Sequence, residues 1–70
     1  MNIPDLKQFC EMSCSDEIIA IVDDIQTKQV LEMKSAYHFL QKNEDVLSKK
    51  VKRFVSGTIG QAGVTFVQLR

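Results

Sequence analysis

The chain has 70 residues, zero formal net charge, 44% hydrophobic and 26% charged residues, which fits one small folded domain spanning 1–70 and argues against disorder. No apolar run approaches the length of a membrane span and no signal-peptide pattern opens the chain, so the expected location is the cytoplasm. The charge is unevenly spread. Residues 1–33 hold seven acids and two bases, and residues 34–70 hold seven bases and two acids. Such a dipolar chain can fold its halves together or stack head to tail with copies of itself.

In chain order, Pro4 and Asp5 suit the start of a short helix through Met12, with Leu6, Phe9 and Cys10 on one face. Ser13 followed by Asp16 resembles a capping box. Ile18, Ile21, Val22 and Ile25 then recur at helical spacing and predict an amphipathic helix. The polar stretch 26–29 reads as a bend or a phase shift. Val30, Met33, Tyr37 and Leu40 resume a helical period. Asn43 before Glu44 and Asp45 reads as a second N-cap, and Leu47, Val51, Phe54 and Val55 define an inner helical face beyond it. No Gly or Pro interrupts residues 5–56. The expected fold is therefore mainly α: a helical hairpin or short bundle, with an acidic arm against a basic arm.

The segment 56–70 is glycine-rich and then β-prone. It does not fit a phosphate loop, which needs a strand before it and a helix with Lys-Ser/Thr after it. Three readings stay open, a continued helix, a short strand or a disordered tail, and the first two have positive signals. Val55, Ile59, Ala62, Phe66 and Leu69 continue a heptad seam, against the helix cost of Gly57, Gly60 and Gly63. Residues 64–69 alternatively form a short strand, with Val64, Phe66 and Gln68 on one side and Thr65, Val67 and Leu69 on the other. Either way, an apolar C-terminal segment is expected to dock on something.

No organised catalytic site is legible, and the chain reads as a non-enzyme needing no cofactor. Cys10 and Cys14 share a helix face, with His38 and an acid as conceivable further zinc ligands. The C-x-x-C spacings of zinc and redox sites are absent, however, and two reduced apolar thiols account for the pair. Asp23 and Asp24 are adjacent and read as solvated surface. Lys49, Lys50, Lys52 and Arg53 are candidate contacts to phosphates or to an acidic partner. The matching acidic half and the zero net charge argue against nucleic acid, leaving a helix-turn-helix regulator as an alternative.

The stretch 37–59, with Tyr37, Glu44, Leu47, Lys49, Val51, Lys52, Val55, Ser56 and Ile59 at compatible spacing, resembles the C-terminal helix of type III secretion needle subunits, as does the opening MNIPDL. The longer tail is similar to an inner-rod subunit's end, and the Pro-containing turn usual in needle subunits is absent. The resemblance implies a self-assembling filament exported without a cleaved signal, with Lys49, Lys50, Lys52 or Arg53 near the lumen. The principal expectation is a small bacterial or phage interaction module (a regulator, inhibitor or chaperone-like adaptor) that forms a dimer or larger homo-oligomer or binds a partner protein. Its expected interface residues are Phe39, Leu40, Phe54, Val55, Ile59 and Phe66.

Overall fold

A computed structural model describes residues 3–70. Seven elements follow in chain order: α1 (Leu6–Met12), β1 (Ile18–Val22), β2 (Val30–Ser35), α2 (Ala36–Leu40), α3 (Glu44–Leu47), β3 (Val51–Ile59) and β4 (Ala62–Leu69). The strands form one mixed sheet in the order β2-β1-β4-β3. Two antiparallel pairs, β1/β2 and β3/β4, join through parallel pairing of the inner strands β1 and β4. The connection through α2 and α3 carries the chain from one edge of the sheet to the other.

The expected mainly α hairpin is overturned, and the reasons are local. Ile18–Val22 reads IIAIV, an apolar run whose periodicity cannot separate a buried strand from a buried helix. Its β-branched content and its burial on both faces decide for the strand. Ser13 is not the start of a helix but the C-cap of α1: its hydroxyl donates to the Phe9 carbonyl at 3.0 Å. The helical spacing of Val30, Met33, Tyr37 and Leu40 spans β2 and α2, and that of Leu47, Val51, Phe54 and Val55 spans α3 and β3. Neither set is a continuous helix face. The heptad reading of 55–69 also gives way, because Gly60 sits in a two-residue turn between β3 and β4 with φ 63°. Among the described residues Lys28 is the one non-glycine with positive φ, so Gln61 is negative there. A glycine at the first turn position followed by a residue of negative φ is the II′ pattern that matches strand twist.

Other local signals match the fold. Asp5 caps α1 by accepting from the Gln8 N–H at 2.8 Å, and the Gln8 side chain accepts from the Asp5 N–H at 3.2 Å. Asn43 caps α3 by accepting from the Val46 N–H at 3.2 Å. In β4, Val67 and Leu69 lie with one apolar cluster, and Val64 and Phe66 with another.

These two clusters define the sheet's faces. The first holds Leu6, Cys10, Ala36, Phe39 and Leu47 of the three helices against Ile19, Ile21, Val51 and Val67 of the strands. The second holds Ala20, Val22, Val64 and Phe66, joined by Ile18, Ile25 and Val55, and contains no helical residue. All helices thus lie on one side, giving a two-layer α+β arrangement.

Candidate interaction surfaces

Strand register fixes what the helix-free face presents. Met33, Ala20, Phe66 and Val55 form one row across the four strands, and Ser35, Ile18, Val64 and Gly57 form the next. The centre is dry: Ala20 is 0% exposed and Phe66 4%. The turn between β1 and β2 reaches over it, with Ile25 packed on the cluster and the Lys28 ammonium 5.3 Å from the Phe66 ring centroid. The flanks remain apolar and open. Val30 is 40% exposed, Met33 41% and Ile59 43%. On the opposite face the same edge strand carries Glu32 and Lys34, and Glu32 pairs with Lys42 at 2.8 Å, tying β2 to the helical layer. Single exposed apolar residues are ordinary, but here Val30 and Met33 on the β2 edge and Ile59 on the β3 edge flank one helix-free face.

The second surface is the outer edge of β3. Residues 4–6 run antiparallel beside residues 49–51. The Val51 N–H donates to the Pro4 carbonyl at 2.9 Å, and the Leu6 N–H to the Lys49 carbonyl at 2.8 Å. A bulge at Lys52 follows, where the pairing to β4 shifts register. Beyond it, residues 54–59 have no backbone partner on the outer side among the described residues. Lys49, Lys50, Lys52 and Arg53 are all exposed at the head of this edge, and none forms an ion pair among the described residues. Beside them lies an open hollow of about 600 Å³ with Ile3, Pro4, Ile25 and Phe54 in its lining and Lys52 and Arg53 at its rim.

The expected interface residues separate under this geometry. Phe39 is wholly buried and Leu40 half-buried, both in the helical core, so their role is packing within the monomer. Phe66 is buried at the centre of the helix-free face, with Val55 half-buried beside it, and Ile59 opens at its rim. Phe54 lies on the helical side of β3, 59% exposed, its ring edge-on to Phe9 with centroids 5.1 Å apart. Met33 and Val30 complete the open face, and their spacing mimics a helical period although both lie in β2.

The other chemistry-bearing groups stay apart. Cys10 is buried in the core, where burial pushes its thiol up to about 11, while Cys14 is exposed. His38 lines a shallow hollow with Gln41, Lys42, Asn43 and Val46. Among the described residues no three His, Cys, Asp or Glu side chains come together as a metal site, so the Cys10, Cys14 and His38 ligand set is not assembled. Asp24 shapes its own turn, accepting from the Gln26 N–H at 3.0 Å. No helix among the described residues is long and apolar enough to cross a membrane. The stretch 37–59 that carries the needle-subunit resemblance is divided among α2, α3 and β3, so the lumen-lining helix which that resemblance implied is not formed. Its opening residues 1 and 2 lie outside the described residues.

No family model, no curated protein and no solved structure matches this chain.

Proposed function

We propose that this protein is a small non-enzymatic interaction module that associates with a second copy of itself through the helix-free face of its sheet. One observation carries the reading: the open apolar rim of Val30, Met33 and Ile59 around the dry Ala20, Val22, Val64 and Phe66 cluster. A 70-residue chain buries a limited core, and placing two such faces together removes from water the apolar rim that one copy leaves open. A sheet packed face to face on its own copy is a common two-fold arrangement, because the same patch serves both sides.

The test is solution mass against concentration, by light scattering on reduced protein. The expected result is a rise from monomer to dimer that Met33→Lys and Ile59→Lys each suppress, with strand content retained by circular dichroism. A monomer at every concentration, or dimers indifferent to both substitutions, would overturn the reading.

A further inference from the structure

We infer that the outer edge of β3 is a binding site for an extended acidic segment of a partner protein, added to the sheet as a fifth strand. This site lies along the strand edge, its apolar hollow sharing only Ile25 with the margin of the self-association face, on which the site does not depend.

The edge has the right backbone. Across a two-residue hairpin the flanking residues, Ile59 and Ala62, form a hydrogen-bonded pair, and such pairs then alternate with non-bonded ones. Gly57, Val55 and Arg53 therefore face β4 with their amides, while Thr58, Ser56 and Phe54 turn theirs outward. The contacts below the bulge fit the same count. Lys49 and Val51 use their outward groups to hold residues 4–6, and the extra residue at Lys52 shifts the outward set from odd to even positions. The sheet has thus already accepted a short extended segment along the first part of this edge, and residues 54–58 continue the same row of donors and acceptors.

The edge also has a chemical preference. Four cations, Lys49, Lys50, Lys52 and Arg53, gather at its head with no ion pair among the described residues. Lysines on an edge ordinarily discourage strand addition by another basic or neutral edge. The same charges favour a strand carrying carboxylates, whose approach they steer and whose register they fix. The hollow containing Ile3, Pro4, Ile25 and Phe54 offers an apolar pocket next to those charges. An extended peptide whose side chains alternate acidic and apolar presents both chemistries with period two. A nucleic acid would satisfy the cations but not the outward amides of Ser56 and Thr58.

The probe is a short fluorescent peptide alternating Glu and Val, titrated against the whole chain at low salt and followed by anisotropy. Binding is expected, weakened about tenfold by changing every Glu of the peptide to Lys, and weakened similarly by Lys52→Glu combined with Arg53→Glu. Ser56→Pro is the decisive variant. It removes one outward N–H, a change an edge strand accommodates, so strand content should persist while binding is lost. Hydrogen exchange should slow at Phe54, Ser56 and Thr58 when the peptide is present. Met33→Lys, which addresses the other face, should leave peptide binding unchanged. Four results would overturn the inference. They are absence of binding, binding that survives Ser56→Pro, tighter binding of a single-stranded RNA oligonucleotide than of the peptide, and self-association abolished by Ser56→Pro, which would make the occupant a second copy.

Discussion

A β-carbon placed on Gly57 would sit 2.8 Å from Cε2 and 3.2 Å from Cδ2 of Phe66, so the aromatic ring rests on the backbone of the neighbouring strand. Gly57 is opposed to Val64 and Phe66 to Val55, which makes the contact a diagonal one across the β3/β4 pair. The absent side chain lets a phenyl ring lie low enough to close the centre of the helix-free face.

Gly57→Ala should therefore lower stability by about 1–3 kcal/mol, the usual cost of forcing an extra methyl into a packed contact. Gly63→Ala is the control, because nothing lies within 4 Å of a β-carbon there. Urea unfolding of the two variants checks the difference, and equal midpoints would remove the steric role assigned to Gly57.

Phe39 and Phe54 differ in burial, 0% against 59% exposed, and so should respond differently to truncation. Phe39→Ala empties the helical core and should cost about 3–5 kcal/mol, a large share of the stability of a chain this small. Phe54→Ala loses mainly the edge-on contact with Phe9 and should cost about 1 kcal/mol. Denaturation midpoints in the reverse order would contradict the assignment of the core to the helical side.

The two thiols should react at very different rates. Cys14 is exposed and should be alkylated first, giving a single adduct by mass spectrometry of the folded protein at neutral pH. Burial raises the Cys10 thiol from 9.0 to about 11, so the folded state holds its proton where the unfolded state releases it. This contribution to stability is full below pH 9 and is lost as pH rises from 9 towards 11. Cys10→Ala should flatten that part of the pH profile relative to the unsubstituted protein, and superimposable slopes would refute the linkage.

Asp5 and Gln8 satisfy each other's backbone N–H groups at the start of α1. Asp5→Ala should cost about 1 kcal/mol. It should also loosen the strand-like contact between residues 4–6 and 49–51, seen as faster amide exchange at Val51, whose N–H is held by the Pro4 carbonyl. Unchanged exchange there would separate the cap from the edge.

Features set by a few neighbouring residues were legible in the sequence. The Asn43 cap, the Leu6, Phe9 and Cys10 face of α1 and the two-sided alternation of residues 64–69 all depend on contacts within one element. The sheet was not legible, because its defining pairings are remote. IIAIV becomes a strand by lying between β2 and a segment near the other end of the chain, and nothing within five residues announces that. The spacing of Leu47, Val51, Phe54 and Val55 mimicked a helix because a short helix runs into a strand after three residues. One overlooked signal was available: the Gly60-Gln61 pair between two β-branched runs is a hairpin turn, and it would have given the C-terminal strand the partner it lacked. Of the interface set, Ile59, Val55 and Phe66 fall on the open face, whereas Met33 and Val30 needed the register of β2 to be seen. The basic run 49–53 was visible, but its place at the head of the outer edge of β3, beside residues 4–6, was not.

The parallel pairing of β1 with β4 also dictates a folding order. Each hairpin is assembled from residues close together in the chain, so each can form early and alone. The central seam between them, Ile18 against Val64 through Val22 against Gln68, joins residues 46 positions apart, so about two thirds of the chain must close first. Loop-closure entropy opposes that step until the helices cover Ile19, Ile21 and Val67, so the middle of the sheet is expected to be the last part to join. Truncations at Val67 should then speed unfolding far more than they slow folding, and a chevron showing the reverse would place the seam in the nucleus.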